Sequence, residues 1–144
     1  MIFSSVVNGN TVILQEQSAI NYAYKDAIAD DLFYTGIPYD FVFDIQFNSV
    51  HVGILYVSQM QEGALFINWV EIMTPFRGKG ILRHVFSLLT SGFKTNEIDL
   101  ECEEKYLEKY KKLGFTVLSF DNFSEMYRLC LSIESATEQN GGQM

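Results

Sequence analysis

The stretch Ile72-Met73-Thr74-Pro75-Phe76-Arg77-Gly78-Lys79-Gly80-Ile81-Leu82 passes from a strand-like segment through a glycine-rich loop into a helical one. Upstream, residues 64–73 are nearly continuous in apolar and β-branched side chains, which predicts a strand buried on both faces. Downstream, Leu82, Val85, Phe86 and Leu89 recur at i, i+3, i+4 and i+7, the apolar stripe of a helix. A loop at such a junction aims successive backbone N–H groups outward, and the helix N-terminus adds about half a positive charge. Glycine accepts positive φ and lets the backbone approach a bulky anion. Arg77 and Lys79 add charge, so the implied ligand is a phosphate or pyrophosphate. The spacing is neither G-x-x-x-x-G-K-[ST] nor G-x-G-x-x-G. The competing reading is an ordinary strand-to-helix turn whose basic residues serve solubility.

Outward from this junction, Phe41, Phe43, Ile45 and Phe47 alternate on one face of a strand, and residues 51–60 form the next. Asn48-Ser49 and Gln61-Glu62-Gly63 supply the turns, so three strands make an antiparallel meander. Earlier, residues 11–15 read as a short strand after the turn Asn8-Gly9-Asn10, and Ser18 caps a helix carrying Ile20, Ala23, Ala27 and Ile28 that ends by Gly36 and Pro38. Beyond the loop come a strand at residues 97–102 and a helix at residues 104–113 with Tyr106, Tyr110 and Leu113 on one face. Gly114 stops that helix as a left-handed C-cap. Strands at residues 115–120 and 127–133 close the chain. The expected fold is α/β (α+β): a single mixed, mostly antiparallel sheet flanked by helices. Residues 1–134 make one domain and residues 135–144, polar and without period, a disordered tail.

Composition narrows the function. A formal net charge of −8 argues against nucleic acid as partner, since phosphate neutralisation needs clustered Lys and Arg. Surplus acid suits a cationic partner and equally a merely soluble surface. No apolar run approaches the ~20 residues of a membrane span, and Met1-Ile2-Phe3-Ser4 lacks the basic start of a signal peptide, which gives a soluble, cytoplasmic reading. Cys102 and Cys130 fall in apolar strand-like runs, and His51 and His84 belong to no ligand motif, so no metal site is expected.

The loop resembles motif A of the GCN5-related N-acetyltransferases (GNATs), [QR]-x-x-G-x-[GA]. Arg77 stands at its first position and Gly80 at its central glycine, while Leu82 stands where Gly or Ala is usual. Tyr110-Lys111-Lys112-Leu113-Gly114-Phe115 is similar to the family's second landmark, aromatic-Tyr-x-K-x-G-F, with Lys109 in the aromatic place. The resemblance covers roughly residues 50–132. It implies acetyl-CoA as acyl donor and direct transfer of the acetyl group to a primary amine, on a small molecule or on a protein or peptide. It assigns the pantetheine arm to backbone groups of Ile72, Met73 and Thr74, and the pyrophosphate to the amides of Arg77, Gly78, Lys79, Gly80, Ile81 and Leu82. Tyr110 matches the tyrosine that protonates the departing thiolate, with core packing as its other reading. Glu71 and Asn68 are the candidates for the base or for a water-bridging group. Glu103 stands near the place of a cofactor-binding asparagine, so that contact is not transferred.

An alternative is a CoA-binding or regulatory module with a degenerate acetyltransferase fold, and a third is an interaction protein with no nucleotide site. The aromatic residues Tyr22, Tyr24, Phe33, Tyr34 and Tyr39 line an acceptor cleft or belong to the core. Asp26, Asp30 and Asp31 attract an amine or form a solvated helix face. A homodimer through an edge strand stays open.

Overall fold

A computed structural model describes residues 1–17 and 39–133 of the chain. The helix expected from Ser18, with Tyr22, Tyr24, Phe33, Tyr34, Asp26, Asp30 and Asp31, and the tail at residues 135–144 lie outside the described residues; Tyr39 lies within them.

Alternating apolar side chains set the first half of the sheet. β1 (Ile2–Val7) and β2 (Asn10–Glu16) form a hairpin, as do β3 (Phe41–Phe47) and β4 (Val50–Gln59). Both turns carry an asparagine at positive φ, Asn8 at 52° and Asn48 at 52°, the conformation a tight hairpin needs. Asn48 Oδ1 also accepts from the Thr11 amide at 2.9 Å, locking one hairpin to the other. β5 (Leu65–Ile72) then follows, α1 (Ile81–Phe93) crosses over, and β6 (Glu97–Cys102) returns parallel to β5. A 3-10 turn (Glu104–Tyr106) leads into α2 (Leu107–Lys112), and the hairpin β7 (Thr116–Asp121) and β8 (Met126–Ser132) completes one open sheet. Its order is β1-β2-β3-β4-β5-β6-β8-β7, with β5–β6 the one parallel pair.

α1 buries Ile81, Val85, Phe86, Leu88 and Leu89 against Val12, Leu14, Phe43, Leu55, Val57 and Ile98. Each fully buried side chain of this size contributes about 1.5–3 kcal/mol, so this face carries most of the stability. β1 is held to the far end of α1 by Phe3, whose ring lies 5.3 Å from Phe93 and so close to Gly92 that a Cβ there would come within 2.6 Å of it. A smaller cluster on the other face joins Val42, Ile54 and Tyr56 to Tyr39 and Trp69.

Three expectations change. β1 was not foreseen as a strand. The strand buried on both faces is β4, where residues 52–58 are all buried, because both clusters press on it; β5 is buried early and half-exposed at residues 68–71. The helix expected over residues 104–113 divides into the 3-10 turn and α2, which leaves Tyr106 exposed and turns Tyr110 inward. Gly114 has the left-handed φ expected, 103°. Among the described residues no helix is long and apolar enough to cross a membrane.

Candidate functional site

The site begins with one extra residue. Tyr56 pairs with Trp69 and Val57 with Ile67, so Asn68 has no counterpart on β4 and forms a β-bulge. A bulge bends its strand and twists it away from its neighbour. β6 accordingly pairs with β5 only at residues 65–67, and beyond that point the two parallel strands part. The Met73 amide donates to Val52 O at 2.7 Å, so by antiparallel alternation Val70 and Ile72 turn their backbone groups away from β4, toward the gap. Gly53 is required on the other side, since a Cβ there would stand 2.2 Å from the Glu71 carbonyl oxygen.

At the end of β5 the chain makes a single 3-10 turn (Thr74–Phe76) and enters the glycine loop. Gly78 and Gly80 have φ of 78° and 77°, a region that costs a residue with a Cβ strain. Gly80 is also the N-cap of α1, and no side chain caps that end, so its first amides stay available. A Cβ built on either glycine would meet nothing within 4 Å, which leaves open space above the amides. Arg77 bends back, its Nε donating to the Ile72 carbonyl at 2.7 Å. This clamps the loop to the strand.

The gap, the loop and α2 enclose a cleft of about 870 Å³. Asn68, Glu71, Ile72, Arg77, Gly78, Gly80, Ile81, Leu82 and Tyr110 line it, so strand, loop and helix residues far apart in sequence meet there. Met73, Thr74 and Lys79 are not part of the lining. The Met73 amide donates to Val52, and its carbonyl accepts from Phe76 at 2.9 Å. The Thr74 carbonyl is likewise engaged, by the Arg77 amide at 3.2 Å. Val70, which the sequence did not single out, lies on the edge those contacts would need.

Asn68 presents a donor. Its Oδ1 accepts from Ser58 Oγ at 2.7 Å, while Nδ2 is buried with no partner among the described residues. Such an orphan costs free energy unless something answers it. Tyr110 forms the far wall, 8% exposed, its ring edge-on to Phe115 at 5.6 Å. Burial, with smaller effects from Cys102 and Tyr106, pushes its phenol up to about 12. Lys109 lies over that ring at 5.5 Å, and Arg83 Nη2 donates to the Lys112 carbonyl at 3.1 Å, joining α1 to α2. Arg83, Lys109 and Lys112 all line the cleft, and sequence reasoning missed them, since they lie on two helices that only the fold brings together. Glu103 is exposed on the rim and pairs with Lys105 at 3.9 Å.

Outside the lining, Glu97, Asp99 and Cys130 converge within 4.8 Å of one another. Asp99 is ion-paired to Arg128 at 2.9 Å, and burial together with both carboxylates pushes the Cys130 thiol up to about 12. His51 pairs with Asp44, away from the cleft.

No family model and no curated protein matches the chain. Solved structures do. An IAA acetyltransferase from Bacillus cereus is 17% identical, with a TM-score of 0.63 over 85% of this chain and 99% of that one. A GNAT family acetyltransferase from Elizabethkingia anophelis with acetyl-CoA bound is 12% identical, with a TM-score of 0.63 over 88% and 100%. An acetyltransferase from Salmonella typhimurium that modifies the N-terminal serine of a ribosomal protein is 12% identical, with a TM-score of 0.65 over 92% and 99%. At such identities the likeness is one of fold, and the fold is that of the GNAT acetyltransferases.

Proposed function

We propose that this chain is an N-acetyltransferase that moves an acetyl group from acetyl-CoA directly to a primary amine of a small molecule, protein or peptide. The observation that carries the reading is the meeting, in one cleft, of an uncapped helix N-terminus with its glycine loop and a strand edge opened by the Asn68 bulge. The residues fit such a donor: the space over Gly78 and Gly80 is open, and an unanswered amide N–H waits at the bulge.

Bound acetyl-CoA supplies the activated thioester; the chain supplies position and proton handling. The amides of residues 78–82 and the helix end hold the pyrophosphate. Val70 and the Ile72 N–H receive the amide-bearing arm as an added strand would. Asn68 is a donor to the thioester carbonyl oxygen and not a base, since its Oδ1 is engaged by Ser58 and an amide binds no proton near neutral pH. Glu71 on the cleft wall takes the proton of the attacking amine. Tyr110 stays protonated and donates a hydrogen bond to the departing sulfur. With the phenol near 12 and a free thiol near about 8.5, complete transfer is about 5 kcal/mol uphill, so hydrogen bonding is its larger contribution.

That uphill step also favours a second reading, a CoA-binding module without turnover. Release of free thiol from acetyl-CoA in the presence of a panel of primary amines separates the two. Turnover is expected, with Tyr110→Phe lowering kcat by about a hundredfold and leaving acetyl-CoA affinity unchanged. Binding with no thiol release from any amine would favour the module.

A further inference from the structure

On the face of the sheet opposite α1, β6 and β8 bring together groups that the cleft does not use. Glu97 and Asp99 alternate with Ile98 and Leu100 along β6, so the two apolar side chains enter the core and the two carboxylates point the other way. Asp99 is paired with Cys130 across the β6–β8 ladder, and Glu97, opposite Ser132, lies diagonal to it. One oxygen from each carboxylate and the Cys130 sulfur thus stand within 4.8 Å of one another. The three come from two strands joined only by the ladder, so no spacing in the sequence announces them.

The cluster is short of positive charge. Arg128 donates to Asp99 Oδ2 at 2.9 Å and lies over the Phe66 ring at 4.9 Å, so it answers one oxygen of one carboxylate. Among the described residues no cation pairs with Glu97. Asp99 Oδ1 is buried without a hydrogen-bond partner, on a residue only 7% exposed. A carboxylate oxygen so placed has lost its water and gained nothing in return, which is costly unless a cation meets it. With the thiol ionised the three groups carry three negative charges; Arg128 answers one, and a divalent cation answers the other two.

We infer that Glu97, Asp99 and Cys130 form a binding site for one divalent cation of the zinc class, with Asp99 Oδ1, a Glu97 carboxylate oxygen and Cys130 Sγ as its protein ligands. Sulfur with two carboxylate oxygens suits a borderline cation, whereas magnesium and calcium take about six or more oxygen ligands, waters included. Binding exchanges the Cys130 S–H bond for an S–metal bond, and the proton leaves to solvent with part of the cation's hydration shell. A tetrahedral ion keeps its fourth position for water. The ion ties β6 to β8 beside the point where β6 parts from β5, and so stiffens one wall of the gap.

Titration of the metal-free full chain with Co²⁺ tests the site, because a thiolate bound to cobalt gives a charge-transfer absorption that carboxylates alone do not. The wild type is expected to develop that band and to saturate at one equivalent; zinc should bleach it by displacement, and millimolar magnesium should not. Zinc well above its Kd should also raise the melting temperature by roughly 5 °C or more. Cys130→Ser should lose the band. Glu97→Gln keeps the shape of a half-buried side chain and removes one ligand charge. It should weaken cobalt binding roughly tenfold or more, while its metal-free melting temperature stays at or above that of the wild type. No band in the wild type at millimolar cobalt, or a band that survives in Cys130→Ser, would overturn the site. So would cobalt binding undiminished in Glu97→Gln, or a spectrum bleached by magnesium as readily as by zinc.

Discussion

In its first three residues β5 has β4 on one side and β6 on the other, and Leu65, Phe66 and Ile67 are all buried. In its last five it keeps β4, faces a gap on the other side, and is half-exposed until Ile72. The first half is wholly apolar and has two neighbouring strands; the second carries Asn68 and Glu71 and has one. One residue inserted at Asn68 separates a stretch that holds the sheet together from a stretch that can bind something else as a strand would. A fold can therefore keep its stability in one half of a strand and its function in the other.

Alanine substitutions should expose that division first. Leu65→Ala, at 1% exposure, is expected to cost about 4 kcal/mol, and Val70→Ala, on the open half, about 1 kcal/mol. Urea midpoints measure both, and equal costs would erase the distinction. The open half still needs its one attached side. Gly53→Ala would drive a Cβ into the Glu71 carbonyl, and a loss of about 3 kcal/mol in the same experiment is expected.

The wall opposite should show in alkali. Burial raises the Tyr110 phenol from about 10 in the unfolded chain to about 12. The folded state thus holds its proton where the unfolded state loses it. The associated stability is complete below pH ~10 and is lost as pH rises toward ~12, by about 2.5 kcal/mol. Tyr110→Phe should remove that part of the alkaline slope in denaturation followed across this range; an unchanged slope would mean the phenol is solvated. The smallest effect expected on stability comes from deleting Asn68. The strand should straighten with its register kept, leaving a folded protein whose acetyl-CoA affinity falls roughly tenfold, or about 1.4 kcal/mol. Undiminished affinity in that deletion would take the bulge out of the site.

The glycine loop was legible because its information is local: a strand ending, two glycines and a helical stripe follow one another within residues 72–89. β3, β4 and β6 were legible through apolar runs and alternation. β1 was not, because it is an edge strand whose Ile2 and Val6 point to solvent, at 62% and 69% exposure, so no apolar face repeats at every second residue. The bulge left no trace in composition; a single asparagine between Ile67 and Trp69 looks like any strand residue. The cation wall was hidden for a different reason, since Arg83 and Lys109 are joined only by the way α2 folds across the loop. Which backbone groups of Ile72, Met73 and Thr74 stay open could not be counted in advance, because strand pairing consumes alternate groups and needs the register.

Acetyl-CoA binding at the glycine loop is tested most directly by calorimetric titration of the wild type and of Gly80→Glu, which places a carboxylate and an unfavourable φ of 77° where the pyrophosphate is to sit. Circular dichroism should show the variant folded, so that any change in binding is local. The wild type is expected to bind, and at a hundredfold excess over Kd to gain about 2.7 kcal/mol of stability, while the variant binds nothing measurable. A wild type that takes up no acetyl-CoA at millimolar concentration, or a variant that binds as tightly as the wild type, would contradict the assignment of this loop to the acyl donor.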